Sequence, residues 1–246
     1  AGIADITPKP GCYLGGYYML TERSRGVHDP LYVRALVLDD GRKKIAVITM
    51  DLIIMGGVMA GEIKEKIKTE FGMPAENVNV SVSHTHTGPE GYYEEFGRYP
   101  KEYLPEMKMD IENKTVDAVR QAMKSLAPAT VGYEQFDLIG FNHNRRESGG
   151  PADKTAVLLV VKNAAGKAVA GFLNFAAHPT VAPTNEMLIS GEWTGMFQGL
   201  MEEKMGDGSV FLYLQGASGN LSPDTHDVGD GWAQAKDLAE RMAGEV

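Results

Sequence analysis

Two histidines separated by a single residue follow a strand-like run in the segment VNVSVSHTHTGPEG. Alternation along a strand sends residues i and i+2 to the same face, so a strand that continues through His84 and His86 points both imidazoles one way. Gly88 and Pro89 then end the strand. Two imidazoles on one face can bind one metal ion together, or one can bind it while the other works beside it. Two solvated or hydrogen-bonded loop histidines are the alternative.

Other polar residues follow apolar, strand-like runs in the same way. His178 follows GFLNFAA, Asp51 follows IAVITM, and the glycine-rich loop with Gly216, Ser218 and Asn220 follows VFLYLQ. Functional sites in open α/β sheets assemble at the carboxyl ends of the strands, so this recurrence predicts one site at one sheet edge. Imidazoles are typical zinc ligands, and a catalytic zinc usually keeps three protein ligands and one water.

The loop NHNRRE places two adjacent arginines, Arg145 and Arg146, near the middle of the chain. A guanidinium can polarise a carbonyl or hold an anion, so one of the two is a candidate functional group. Neighbours in an extended segment point to opposite sides, and we therefore expect the other arginine to be solvated or to pair with an acid such as Glu147. His28, in RGVHDP, either lies near the site or makes a structural hydrogen bond.

Alternating strand and helix patterns would position these residues. Alternation of β-formers with small polar residues predicts a strand in NVNVSVSH, and apolar runs of β-formers predict strands in YVRALVLDD, KIAVITMDLII, TAVLLVVKN, AVAGFLNFAAH and SVFLYLQ. Helical apolar spacing predicts helices in MAGEIKEKIKTEFG, from Pro105 to Leu126, in TGMFQGLMEEKMG, and in GWAQAKDLAERMAGEV at the end. Hairpin-like pairs beside crossovers favour a single α/β domain over residues 1–246, with a mixed β-sheet flanked by α-helices.

Composition narrows the possible partners. The chain has 246 residues and a net charge of −9, which disfavours a nucleic-acid partner because phosphate contacts need a basic face. Its one cysteine, Cys12, excludes an intrachain disulfide and leaves the compartment open, secreted or periplasmic as well as cytoplasmic. No apolar stretch reaches the roughly 18 residues of a membrane span. The expected partner is a small-molecule or lipid substrate, and the oligomeric state is undetermined.

Six segments occur in the order AGIADITP, GVHDPLYVRALVL, SHTHTGP, NRR, FAAHPT and GASGNLSP. Together they resemble the N-terminal catalytic domain of the neutral/alkaline non-lysosomal ceramidases and their shorter bacterial relatives. The resemblance covers nearly the whole chain. It implies a zinc-dependent amidase that cleaves the N-acyl bond of ceramide to yield sphingosine and a fatty acid.

The same resemblance assigns roles to individual residues. It implies that His84 and His178 are zinc ligands and that His86, beside the zinc, assists catalysis. Arg145 follows an asparagine as in the family's Asn-Arg pattern, and it matches the family's active-site arginine. The family completes its zinc site with a glutamate and a tyrosine further along, so the chain is expected either to be truncated at its C-terminal end or to use Glu192 instead.

Several supporting roles and two rival functions complete these expectations. Asp51 is predicted to orient a metal-bound imidazole, and the residues Gly216, Ser218 and Asn220 are candidates for supporting the site or binding substrate. The first rival is a metallohydrolase of the same scaffold that acts on another amide or an ester. The second is a ceramidase-like binding protein that has lost its zinc and its activity.

Overall fold

The computed structural model describes residues 1–16, 22–93 and 102–246. The strands in these ranges are β1 (Gly2–Asp5), β2 (Gly26–Val27), β3 (Tyr32–Asp39), β4 (Lys44–Met50), β5 (Val78–Val82), β6 (Ala129–Asp137), β7 (Asn142–Asn144), β8 (Thr155–Asn163), β9 (Ala168–Phe175), β10 (Leu188–Ile189), β11 (Val210–Gln215) and β12 (Leu221–Pro223). The α-helices are α1 (Gly57–Phe71), α2 (Pro105–Lys124), α3 (Glu192–Met205) and α4 (Gly231–Glu245). Short 3-10 turns lie at Ala75–Asn77 and Thr184–Glu186.

The longer of the described strands form two four-stranded sheets, with the orders β1-β3-β4-β5 and β11-β9-β8-β6. Both sheets are mixed, because β4 pairs with β5 and β9 pairs with β11 in parallel whereas their other pairs are antiparallel. Two short pairs, β2 with β10 and β7 with β12, join loops at the strand ends.

Alternating apolar side chains stack the two sheets face to face. On β3, Val33, Ala35 and Val37 belong to the core shared with α1 and α2, whereas Leu36 points the other way. Leu36 packs in a separate cluster that includes Leu212 of β11, so this cluster fills the space between the sheets. The outer face of the second sheet packs on α3 and α4. The order of layers is therefore helices, sheet, sheet, helices.

The predicted class, one α/β domain with mixed β-sheet and flanking α-helices, is confirmed. The strands divide between two stacked sheets, because the apolar residues on both faces of β3, β4 and β11 need cover from a sheet on one side and helices on the other. The sequence does not indicate the edge strand β6, because this strand is exposed along almost its whole length and lacks an apolar run.

A buried ionic network joins the two halves of the structure through Arg34 of β3. Its Nη1 donates to Oδ2 of Asp51 at 3.2 Å, and its Nε donates to Oε1 of Glu202 on α3 at 2.8 Å. The Asp51 carboxylate also accepts from the backbone N–H of Tyr32 and from Nε2 of Gln198, each at 3.0 Å. Buried charges are costly unless they are paired and hydrogen-bonded, and here each charge has several partners.

Side chains of α3 also complete the free edge of β11. Oε1 of Glu202 accepts from the backbone N–H of Phe211 at 3.1 Å, and Oε1 of Gln198 accepts from that of Tyr213 at 3.0 Å. The hydroxyl of Thr49 on β4 donates to the carbonyl of Tyr213 at 2.9 Å. These contacts satisfy backbone groups that an edge strand would otherwise leave unpaired in the interior. They connect α3, β11 and the first sheet.

Replacement of Arg34 by methionine should lower the free energy of unfolding by about 3–5 kcal/mol, because Asp51 and Glu202 lose their buried cation. The matched control is Lys68→Ala, which removes an exposed ion pair with Glu65 and should cost about 0–1 kcal/mol. Urea unfolding followed by circular dichroism measures both. Similar losses in the two variants would contradict a buried network.

Candidate metal centre

Three histidines converge beyond the ends of β5 and β9. The ring nitrogens of His84, His86 and His178 that face the site all lie within 4.8 Å of one another. The two Nε2 atoms of His84 and His178 are 3.1 Å apart. His178 is buried and the other two are partly buried. The structure therefore brings the three predicted histidines into one site.

His84 and His86 do not lie on a regular strand, so strand alternation does not explain why both rings face the site. β5 ends at Val82, and His84 has a left-handed backbone with φ of 69°. The predicted continuation of the strand through His84 and His86 is therefore wrong, although both rings still face the same site. Non-glycine residues rarely adopt this conformation, and it persists where the surroundings hold it. Here the backbone N–H of His84 donates to the carbonyl of Leu52 at 3.0 Å.

Backbone carbonyls orient the imidazoles of His84 and His178. Nδ1 of His84 lies 2.6 Å from the carbonyl oxygen of Ile53, and Nδ1 of His178 lies 2.9 Å from that of Ser218. A carbonyl only accepts, so Nδ1 carries the proton in each ring and the neutral ring has its lone pair on Nε2. Two such lone pairs 3.1 Å apart repel unless a cation or proton lies beside them. The donor set therefore fits a metal ion.

Burial lowers the pKa of each histidine in the cluster. Desolvation is the largest cause for all three, and it lowers the pKa of His86 to about 3 and that of His178 to about 4. The pKa of His84 is lowered as well, and the positive charge of Arg145 contributes to all three decreases. The imidazoles are therefore neutral at neutral pH, as metal ligands must be.

A glycine that the sequence analysis did not single out borders His86. A Cβ on Gly16 would lie 2.3 Å from Nδ1 of His86 and 2.4 Å from Cδ1 of Ile53, and its φ is +89°. Only glycine combines this backbone conformation with so close an approach. Nothing in the run CYLGGYY indicates the contact, because it depends on loops far apart in the sequence.

The loop after β11 supports the site through its backbone. Nη2 and Nε of Arg145 donate to the carbonyl of Gly219 at 2.8 and 3.2 Å, and the backbone N–H of Arg145 donates to Asn220 at 2.8 Å. The carbonyl of Ser218 accepts from the buried histidine. A Cβ added to Gly216 would lie only 2.9 Å from the Cβ of Ala176. The loop residues predicted to support the site thus lie beside its arginine and histidine.

Three further residues predicted near the site have other contacts. Asp51 belongs to the ionic network between the sheets, and backbone carbonyls rather than Asp51 orient the imidazoles of His84 and His178, so its predicted role is wrong. His28 stacks on Trp232 with ring centroids 3.8 Å apart, and its Nδ1 lies 2.7 Å from Asp29, which is the structural alternative. Within the described ranges, the group of side chains that could hold a metal ion consists of the three histidines. Glu192 is not part of this group, so it does not take the place of a missing ligand.

Residues 1–232 match the family model described as neutral/alkaline non-lysosomal ceramidase, N-terminal. The chain belongs to this family. It is 27% identical over 252 residues to a neutral ceramidase of Mycobacterium tuberculosis, which covers 91% of this chain and 40% of that protein. Neutral ceramidase B of Dictyostelium discoideum is 29% identical over 253 residues, or 92% of this chain and 35% of that protein.

A solved structure shows the same fold. The crystal structure of neutral ceramidase from Pseudomonas aeruginosa matches with a TM-score of 0.90 and 21% identity, over 99% of this chain and 43% of that one. The ceramidase-family chain described here thus spans less than half the length of these proteins. In the ranges that the structure describes, none of the helices is both long and apolar enough to cross a bilayer.

Substitution of Gly16 by alanine should destabilise the protein by ~1–2 kcal/mol through its backbone conformation and by a further ~1–3 kcal/mol through the contact with His86. Gly11 is a matched control, because its φ is +106° and an added Cβ meets no atom within 4 Å. Gly11→Ala should show the conformational cost alone. Chemical denaturation measures both, and equal losses would argue against the close approach of Gly16 to the imidazole.

Proposed function

We propose that this chain carries the zinc site of an amidohydrolase that cleaves the N-acyl bond of a ceramide-like substrate and releases a sphingoid base and a fatty acid. The observation that carries the proposal is the cluster of three neutral imidazoles, two of which turn their Nε2 atoms toward each other at 3.1 Å. Membership of the ceramidase family supports the choice of substrate, and a neighbour at 22% identity is described as a ceramidase complexed with C2.

His84 and His178 would hold the zinc ion through Nε2, since their Nδ1 atoms are engaged by carbonyls. When bound, zinc supplies Lewis acidity for the substrate carbonyl and lowers the pKa of a water molecule to about 7. Neutral imidazoles suit this ion, and a catalytic zinc keeps an open position for water or substrate. Each ligand ring is oriented by a backbone group that cannot change its protonation state.

His86 is proposed to move the proton that amide hydrolysis requires. Its neutral imidazole would accept a proton as water attacks the carbonyl carbon, and the resulting imidazolium would donate it to the leaving nitrogen. Burial and neighbouring positive charge lower the pKa of His86 to about 3 in the free protein. These causes make the imidazolium a strong acid, which favours protonation of the leaving amine, but they oppose the earlier step in which the neutral imidazole accepts a proton.

Arg145 is proposed to stabilise the negative charge that develops on the carbonyl oxygen. The carbonyl of Gly219 accepts from two of its guanidinium nitrogens, at 2.8 and 3.2 Å, and so limits the positions that the group can take. A positioned cation lowers the energy of a transition state more than a mobile one, because little reorganisation is needed. Both arginines are exposed, and the backbone N–H of Arg146 donates to Oδ1 of Asn144 at 2.9 Å.

The histidine roles predict different losses in three variants. His84→Ala and His178→Ala should lose bound zinc, whereas His86→Ala should retain zinc and lose turnover. Zinc content by elemental analysis and hydrolysis of a fluorogenic N-acyl sphingosine provide the two measurements. His143→Ala is the control, because this histidine is exposed and pairs with Asp224, and the variant should keep both properties. Equal zinc loss in all three site variants would make His86 a ligand.

The arginine role predicts a loss of turnover on the order of 10²–10³ in Arg145→Ala, the usual cost of removing one oxyanion donor. Arg145→Lys should recover part of the activity, since lysine keeps the charge but lacks the planar fork. Arg146→Ala should be nearly silent. Steady-state kinetics of the zinc-loaded variants decide the question. A severe loss of turnover confined to Arg146→Ala would assign the oxyanion role to Arg146. If neither alanine variant lost turnover, no arginine of this pair would take part in the reaction.

A further inference from the structure

The segment that joins β10 to α3 contacts the loop with the first two candidate site histidines. The carbonyl of Ser190 accepts from the hydroxyls of Thr85 and Thr87, both at 2.9 Å. The backbone N–H of Ser190 donates to the carbonyl of Thr87 at 3.1 Å. The two threonines alternate with His84 and His86, and both are buried. Three hydrogen bonds to one residue therefore hold this loop.

The same segment contacts the loop that follows His178. Oε1 of Glu192 accepts from the backbone N–H groups of Val181 and Ala182, the latter at 2.7 Å, and Oε2 accepts from that of Trp193 at 3.0 Å. The side chain of Glu192 is fully buried. Burial raises its pKa to about 7, and the N–H bonds oppose that rise. An ionised carboxylate offers only acceptors, which matches three backbone donors.

Short contacts connect the two sides of this segment. The backbone N–H of Glu192 donates to Oγ of Ser190 at 2.8 Å, and that hydroxyl donates to Oδ2 of Asp29 at 2.5 Å. Glu192 has a left-handed backbone with φ of 59°, as His84 does with φ of 69°. Non-glycine residues keep such conformations where several contacts determine them together. The two histidine loops are thus linked by an unbroken series of hydrogen bonds.

We propose that Glu192 is a positioning residue that sets the distance of the His178 loop from the loop carrying His84. Its carboxylate would act through the backbone amides of Val181 and Ala182 and would maintain the separation of 3.1 Å between the two Nε2 atoms. The consequence for zinc rests on the proposed function, whereas the consequence for the geometry of the imidazoles does not.

Glu192→Gln tests the role with little change in shape. The amide offers one acceptor oxygen and sets an NH₂ group against a backbone N–H, so the contact with one side is lost. Zinc affinity should fall 10- to 100-fold, as is usual when a group that orients metal ligands is changed. The control is Glu112→Gln. Glu112 is also a buried glutamate, but it lies on α2 and pairs with Lys66 of α1 and with Lys108 of α2. It should lose stability and keep zinc affinity.

Competition with a chromogenic chelator measures affinity at a temperature where circular dichroism shows all variants folded. Long-range ¹H–¹⁵N spectra of the histidines give a second, metal-independent readout. In the metal-free wild type, His84 and His178 should appear as Nδ1–H tautomers. In Glu192→Gln the His178 nitrogen signals should shift, because the ring moves relative to His84, and in Glu112→Gln they should not.

The outcomes separate the two proposals. Unchanged His178 signals in Glu192→Gln would overturn the positioning role whatever the zinc measurements show. Wild-type affinity for zinc in Glu192→Gln, with the wild type binding zinc tightly, would overturn it as well. Absence of zinc binding in the wild type would refute the proposed function, and the spectra would then decide the positioning role alone.

Discussion

The burial of Arg34 between the two sheets is the constraint on which the rest of the structure depends. A guanidinium in the interior requires carboxylates close by, and it obtains them from Asp51 at the end of β4 and from Glu202 on α3. Asp51 and Glu202 each belong to a chain segment that also contacts the histidine cluster. The residues just after Asp51 supply the carbonyls that hold His84, and α3 begins at Glu192, which holds the loop after His178. One ionic network thus locates both supports of the histidine cluster.

The site itself is organised by backbone groups more than by charged side chains. Carbonyl oxygens of Ile53 and Ser218 accept from the imidazoles, and the carbonyl of Gly219 accepts from Arg145. A carbonyl does not titrate, so the tautomer of each ring is independent of the pH around neutrality. The three imidazoles are neutral and Arg145 beside them is a cation, although the whole chain carries a net charge of −9. Such surroundings suit the stabilisation of negative charge that develops on a substrate.

Most of the elements could be predicted from the sequence because their signals are local. The apolar runs at β3, β4, β8, β9 and β11 and the helical spacing of α1, α2, α3 and α4 lie within single segments. The helix predicted from Pro105 to Leu126 ends two residues earlier, at Lys124, and α3 begins at Glu192 rather than at Thr194. The division into two sheets was not predictable in this way. It depends on which faces of β3 and β11 meet, and no single strand encodes its neighbour.

The sequence by itself determined the chemistry available to this protein. Histidines at the exits of apolar strands and an arginine in a polar loop, in an order that resembles one enzyme family, are properties of residue type and spacing. Only the tertiary structure decided how these groups are held. The left-handed turn at His84, the role of Asp51 in a buried ion pair and the placement of Glu192 between two loops arise from contacts over long sequence separations. The groups that orient the histidines and the arginine are largely backbone carbonyls and amides. Nearly every residue carries such groups, so the residue types in the sequence do not predict which of them will be used.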